Sequence, residues 1–204
     1  MRLIVSSQYE MVIVNQLNIL LLDALKAKVT HFDNGISILK DKINKPLIRK
    51  QKCMRLERGL YSPCLDVAVG PYAFPGYRFA IWDDDRYEDL LDVQVIKRFV
   101  QRLKGIGHVL PQFNASFNQN PRCLFAIEIE NYNNYKHMLG SITNCSIMGK
   151  IGIYIDYNSE RLQNFYNFLR EMILRKKTRL FQNVIFFTKE EFDNFLDINQ
   201  RNMR

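Results

Sequence analysis

From Cys123 to the C-terminus, apolar strand-like runs alternate with helical segments, and this alternation limits the possible folds more than any other feature of the chain. The hydrophobic periodicity predicts a strand over 123–130, a helix over about 134–148, a strand over 150–157, a helix over about 159–177, a strand over 183–187 and a last helix. Thr188-Lys189-Glu190-Glu191 has the form of a capping box that opens this last helix. Such alternation predicts an α/β fold with a mixed central sheet flanked by helices.

The first half of the chain contains further elements, and it lacks a composition shift that would mark a linker, so we expect a single domain over 1–204. The Ser7–Glu10 segment has the form of a capping box. The remaining patterns predict a helix over about 8–28, an antiparallel pair of strands over 65–69 and 77–82, a helix over about 86–104 and a polar loop over about 111–122. Residues near 83–122 then form a helical insertion.

The charge balance favours an anionic partner. The chain of 204 residues has 29 Lys and Arg against 21 Asp and Glu, a formal charge of +8, and such an excess attracts polyanions such as nucleic acid. The positive charge is densest over 40–58, directly before the strand that contains Asp66. The side chains expected to contact a nucleic-acid backbone are Lys45, Arg49, Lys50, Lys52, Arg55 and Arg58. A solvated charged loop would explain the same segment.

The cysteines and the N-terminal segment indicate in which cellular compartment the protein is expected. Four cysteines form no CxxC motif, and in a chain with its own core such scattered thiols are typical of a reducing compartment. The first residues are too short for the apolar region of a signal peptide, and the later apolar run is interrupted by Asn15, Gln16 and Asn18. We therefore expect a cytoplasmic protein that does not enter a membrane.

Three carboxylates lie in apolar strands and are the candidates for chemistry. The two-residue period of a strand places Glu128 and Glu130 on one face of 123–130. By the same period Asp66 shares a face with Ala68, while Leu65, Val67 and Val69 face the other way. If these two strands are neighbours, the three carboxylates converge.

Converging carboxylates provide hard oxygen ligands, which suit Mg²⁺ or Mn²⁺. Such an ion polarises a phosphoryl group and lowers the pKa of a bound water. The expected chemistry of the cluster is therefore phosphodiester hydrolysis, with the basic segment holding the nucleic acid beside it.

The segments Pro63-Cys64-Leu65-Asp66 and Glu128-Ile129-Glu130 resemble the motif of the PD-(D/E)XK nuclease superfamily. Its pattern is an Asp on one strand of a hairpin, often just after Pro, followed on the next strand by Glu or Asp, an apolar residue and Lys. The resemblance implies a restriction-endonuclease-like core and a Mg²⁺-dependent endonuclease of a restriction or defence system. DNA is the implied substrate, with RNA as an alternative, and a homodimer would cut both strands. Asp66 and Glu128 would be metal ligands.

Glu130 occupies the position where the family usually has Lys. It would bind the metal or orient the attacking water, and Lys136 at the start of the next helix would replace the missing ammonium. Lys136, Gly140 and Asn144 also form a polar stripe on that helix. Close packing of Gly140 against the sheet is the alternative for the stripe, and a solvent-facing position is the alternative for the two glutamates.

Two other functions remain open on the sequence. A non-catalytic nucleic-acid-binding or assembly protein would have kept the fold without the chemistry, as the absent Lys allows. A protein-interaction subunit with an unrelated α/β fold would place Asp66 far from Glu128. The adjacency of these two residues therefore separates the hypotheses.

Overall fold

The structure is a computed structural model, and it describes residues 6–33, 48–53, 64–70, 84–132, 134–175 and 180–197. The helices in these ranges are α1 (Ser6–Asp33), α2 (Asp84–Leu91), α3 (Gln94–Ile106), α4 (Tyr135–Met148), α5 (Ser159–Leu174) and α6 (Lys189–Phe195). The strands are β1 (Ile48–Cys53), β2 (Cys64–Val69), β3 (His108–Val109), β4 (Cys123–Glu130), β5 (Gly149–Asp156) and β6 (Val184–Thr188). A short 3-10 turn, Ala115–Phe117, lies in the segment before β4.

The described strands form one sheet in the order β1-β2-β4-β5-β6-β3. The three central strands β4, β5 and β6 are parallel, and β2, β1 and β3 are added antiparallel at the two sides. Every residue of β4 and β5 is buried, which explains their nearly continuous apolar sequences. The predicted α/β fold with a mixed, helix-flanked sheet is confirmed.

Two hydrophobic clusters cover the two faces of the sheet. The first packs α1, α3 and α6 against residues such as Val67, Ile127 and Ile153. The second packs α4 and α5 against residues such as Ala126 and Tyr154. Val67 and Val69 lie in the first cluster, as alternation predicts, whereas Leu65 lies with Ala68 in the second, so its predicted face is wrong. The carboxylates of β4 therefore lie on the face covered by α4.

Helix α1 includes the whole of the predicted helix over 8–28. Its buried side repeats every fourth residue, which places one stripe against the sheet; the stripe consists of Tyr9, Ile13, Leu17, Leu21 and Leu25. This helix packs on β1 and β2. Burial of each aliphatic side chain contributes roughly 1.5–3 kcal/mol. The helix therefore holds the strand that contains Asp66 firmly in the sheet.

The single helix predicted over 86–104 is wrong, because α2 and α3 are separate helices. Val93 has an extended conformation, with ψ of 124°, and its carbonyl accepts the first hydrogen bond of α3 from Lys97. Strand β3 was not predicted, because two residues give no alternation to detect. The strand predicted over 77–82 lies outside the described residues.

Part of the basic segment is a strand and not a loop. Residues 48–53 form β1, which pairs with β2, while Lys45, Arg55 and Arg58 lie outside the described residues. The register makes Cys53 the Cα partner of Cys64, and Cys64 is disulfide-bonded. The expectation of four free thiols is therefore wrong, although Cys123 and Cys145 are free and buried.

Several local predictions about helix ends are confirmed. Thr188 and Glu191 form both hydrogen bonds of the predicted capping box. Asn134 caps α4 by accepting from the Lys136 N–H, and α4 ends at Gly149. Helix α5 ends at Leu174, three residues before its predicted end, and Arg175 caps it. In the described part of the chain, no helix is long and apolar enough to span a membrane.

Candidate carboxylate site

The pairing of β2 with β4 places Asp66 beside Glu128. Val67 is the Cα partner of Ile127 and Ala68 is the partner of Ala126, so the same antiparallel register places Asp66 opposite Glu128. The Ile129 N–H also donates a hydrogen bond of 2.7 Å to Asp66 Oδ2. The adjacency on which the sequence-based hypotheses depend is therefore present.

The side chains of Asp66 and Glu128 contact each other directly. Burial and the charge of Asp66 raise the pKa of Glu128 to about 9, and a hydrogen bond joins its carboxyl to Asp66. Burial also raises the pKa of Asp66, although the Ile129 N–H and the hydrogen bond from Glu128 oppose the increase. The raised pKa favours the protonated form of Glu128 at neutral pH, and a protonated carboxyl can share a hydrogen bond with the neighbouring Asp66.

Asn144 of α4 completes the surroundings of Glu128. Its Nδ2 donates to Glu128 Oε1 at 3.1 Å, and this bond partly lowers the pKa that burial raises. A donor at this distance favours the ionised carboxylate. The site therefore contains one group that stabilises the charged form of Glu128 and another, Asp66, that opposes it.

Glu130 lies near the pair but has different partners. Its Oε1 accepts from the Tyr132 N–H at 2.8 Å, and its Oε2 is 3.4 Å from the Ser141 hydroxyl. Within the described residues, no hydrogen bond joins Glu130 to Asp66 or Glu128. Both glutamates are nearly inaccessible, at 5% for Glu128 and 3% for Glu130, so the alternative of a solvent-facing pair is wrong.

Lys136 lies in the first turn of α4 and its side chain is exposed. Among the described residues, no ion pair links Lys136 to a carboxylate. The predicted contact with the carboxylate cluster is thus not formed. Lys136 instead lines a groove on the outer side of α4.

This groove has a volume of about 350 Å³ and is lined by Lys136, His137, Gly140, Ser141 and Asn144. Ser141 and Asn144 thus face both the groove and the glutamates beneath it. A Cβ added to Gly140 would meet no atom within 4 Å, so close packing of Gly140 against the sheet is wrong. The small residue keeps the groove open above the carboxylates.

A buried ion pair next to Glu130 was missed by the sequence analysis. Asp156 is the register partner of Glu130, and Arg161 binds it with Nη2–Oδ1 at 2.6 Å and Nε–Oδ2 at 3.1 Å. The Tyr154 hydroxyl and the Asn158 N–H also donate to Asp156. Asp156 is fully buried and Arg161 is 4% exposed. The sequence did contain a signal for this ion pair, because an acidic residue at the end of an apolar strand is followed five residues later by an Arg.

The described part of the basic segment lies beside β2. Arg49 is the Cα partner of Ala68, Lys50 of Val67 and Lys52 of Leu65. The strand with these three basic residues is therefore the neighbour of the strand that contains Asp66.

The donor set of the Asp66–Glu128 pair fits a divalent cation. Two cis ligands of Mg²⁺, each at about 2.1 Å, are about 3 Å apart, which is near the separation of two hydrogen-bonded carboxyl oxygens. Among the described residues, no group of three or more His, Cys, Asp and Glu side chains is arranged to hold a metal ion. Two carboxylates and several waters are the ligand set that Mg²⁺ commonly takes.

The chain matches no protein-family model, and no curated protein or solved structure is significantly similar to it. Its function is therefore inferred from the carboxylate site.

Proposed function

We propose that this protein is a Mg²⁺- or Mn²⁺-dependent nuclease that hydrolyses phosphodiester bonds in DNA. The observation that carries the proposal is the direct contact between Asp66 and Glu128, two buried carboxyls on neighbouring strands. This arrangement agrees with the Asp and Glu of the PD-(D/E)XK pattern, one on each of two paired strands. The basic strand β1 and the charge of +8 support an anionic substrate.

In this proposal, Asp66 and Glu128 are the metal ligands. When bound, the ion would polarise the phosphoryl group and lower the pKa of a water molecule. Glu128 must lose its proton to bind the ion, and Asn144 stabilises the resulting carboxylate through its 3.1 Å hydrogen bond. Loss of this proton links metal binding to pH.

Glu130 and Lys136 have the remaining roles. Glu130 accepts a proton from the attacking water. Its Oε2 suits this role because its contact with the Ser141 hydroxyl is long, at 3.4 Å, and is easily given up. Lys136, at the mouth of the groove, binds the phosphate and offsets the charge that develops on it. If the substrate is duplex DNA, a restriction or defence enzyme acting as a homodimer would use two such sites, one for each strand.

A second candidate function is nucleic-acid binding without cleavage. The observation in its favour is that Glu130 replaces the usual Lys and accepts hydrogen bonds from Tyr132 and Ser141. In that case the shared proton between Asp66 and Glu128 would be permanent, and the groove would bind nucleic acid only.

Metal binding and cleavage should be measured separately. Mn²⁺ binding can be followed by electron paramagnetic resonance, and cleavage of single-stranded and double-stranded DNA can be followed in Mg²⁺. Asp66→Asn and Glu128→Gln should each weaken Mn²⁺ binding and reduce cleavage at least a hundredfold. Glu128→Gln keeps a donor to Asp66 and an acceptor for Asn144, so its fold should be preserved.

Glu160→Gln is the matched control, because Glu160 is an exposed acid on α5 that does not line the groove. It should leave both properties unchanged. Cleavage that survives both site variants would contradict the proposal, and Mn²⁺ binding without cleavage would favour the second candidate function.

A further inference from the structure

We infer that Tyr132 and His137 form a stacking platform for an unpaired base, so that the groove above Asp66 and Glu128 accepts single-stranded nucleic acid. The inference rests on the proposed function and narrows its substrate class. It is carried by three features of the described residues: two stacked rings at the surface, a rigid backbone beneath them and a cationic groove beside them.

The two rings have the geometry of a platform. The ring centroids of Tyr132 and His137 are 5.7 Å apart, and the ring planes are inclined by 30°. Both side chains are exposed, and Tyr132 exposes 68% of its surface. A base stacked on an aromatic ring contributes roughly 1–3 kcal/mol to binding of single strands. An exposed face of this kind suits a planar ligand.

The backbone of Tyr132 is fixed from two sides. Its N–H donates to Glu130 Oε1 at 2.8 Å, and its carbonyl accepts from Arg161 Nη1. Arg161 is itself held by the buried Asp156. Because the backbone beneath the ring is already ordered, binding a base costs less conformational entropy than it would on a loose loop.

The groove adjoins both the platform and the residues that contact the carboxylates. His137 belongs to both the platform and the groove, and two other lining residues, Ser141 and Asn144, contact Glu130 and Glu128. Its volume of about 350 Å³ is within the usual range of ligand sites, and Gly140 leaves it unobstructed. A strand with one base on Tyr132 would thus have its backbone in the groove.

The charges of the groove favour a phosphate backbone. Lys136 lines the groove and its exposed side chain provides a cation there. Bases within a duplex are already stacked on both faces, so only an unpaired base offers a face to the platform. The chemistry therefore favours single strands over duplex.

The test uses the full chain in EDTA, where no metal-dependent cleavage occurs. A single-stranded DNA oligonucleotide with one fluorescent purine analogue reports stacking by quenching of its emission. The same oligonucleotide in a duplex and an RNA version form the comparison arms. We expect tight, quenched binding of single strands and weaker binding of the duplex, and the RNA arm shows whether the sugar is discriminated.

Tyr132→Ala should weaken single-strand binding roughly tenfold or more and abolish the quenching, whereas Tyr132→Phe should keep both. Phe168→Ala is the control, because Phe168 is an aromatic residue of α5 with 56% exposure outside the groove. Phe168→Ala should bind the single-stranded oligonucleotide as tightly as the unmodified chain does.

Equal binding by Tyr132→Ala and the unmodified chain, a preference for duplex, or no binding at all would overturn the platform. If Mg²⁺-dependent cleavage persists in that case, the proposed function stands and only the platform is lost. If cleavage is absent but binding depends on Tyr132, the platform stands and the nuclease proposal fails.

Discussion

The carboxyl groups of Glu128 and Asp66 are hydrogen-bonded to each other across two neighbouring antiparallel strands. Burial raises the pKa of both groups, and the second carboxyl raises that of Glu128 further. The charge at this point of the sheet therefore depends on pH and, in the proposed function, on a divalent cation.

The stability of the metal-free protein should fall with rising pH through ionisation of Glu128. The pKa of this group is about 9 in the folded chain against an ordinary value of 4.5, so the folded state binds the proton more tightly. The resulting stabilisation is complete below pH 4.5 and is lost as the pH rises through about 9. Urea denaturation in EDTA at several pH values measures the decline in the free energy of unfolding.

Glu128→Gln isolates this effect because it cannot ionise. Its stability relative to the unmodified chain should be constant at acidic pH and should increase steadily towards alkaline pH. In the unmodified chain, added Mn²⁺ should reduce the loss of stability at alkaline pH. Parallel pH profiles for the two proteins would show that Glu128 has an ordinary pKa, contrary to the expectation.

Loss of the Asn144 side chain should raise the pKa of Glu128 further. The Asn144 amide donates to Glu128 Oε1 at 3.1 Å and favours the charged form. A hydrogen bond to a charged group contributes roughly 1.5–3 kcal/mol, so Asn144→Ala should raise this pKa by about one unit or more. Nuclear magnetic resonance of the carboxyl carbon during a pH titration measures the change.

Thr143→Ala is the control for this change, since the Thr143 hydroxyl donates to the Leu139 carbonyl of its own helix. Its titration curve for Glu128 should coincide with that of the unmodified chain. A shift of equal size in both variants would mean that the helix, and not the amide, determines the pKa.

Replacement of Arg161 should destabilise the fold strongly. Arg161→Leu removes two hydrogen bonds from the fully buried Asp156 and the contact with the Tyr132 carbonyl. Removing one partner of a buried ion pair costs roughly 3–5 kcal/mol. Arg175→Leu should cost under about 1 kcal/mol, because its pair with Glu171 is exposed. Similar losses for the two variants in urea denaturation would refute a special role for the buried pair.

Two substitutions of Gly140 should have different effects, one on the stability of α4 and the other on the access of nucleic acid to the groove. An added Cβ meets nothing within 4 Å, so Gly140→Ala should stabilise α4 by up to about 1 kcal/mol. Gly140→Phe should also fold, but its ring should fill the groove and weaken binding of nucleic acid. Thermal unfolding and fluorescence anisotropy measure the two effects.

Gly152→Ala is the contrasting variant, because its Cβ would lie 3.0 Å from the Cys145 carbonyl group and from Val184 Cγ2. It should lower the melting temperature. A stabilised Gly152→Ala or a destabilised Gly140→Ala would contradict the packing described around these two glycines.

Local patterns in the sequence predicted most elements of the second half of the chain. Several helix ends are marked by contacts within a few residues, which involve Asn134, Gly149 and the Thr188 capping box. Because these contacts are local, the sequence predicts them without knowledge of the fold. The two-residue period also placed Glu128 and Glu130 on one face of β4. The break at Val93 escaped prediction because the apolar period continues across it.

The sequence alone thus determined the fold class, the shared face of the two glutamates and the identity of the acids. Tertiary structure decided which acids meet, because β2 and β4 are distant in the chain and only the sheet order makes them neighbours. It also decided that the face of Glu128 is covered by α4, and that covering raises the pKa of its carboxyl. Alternation defines two faces of a strand, but the burial that gives one of them its chemistry depends on the helices packed against it.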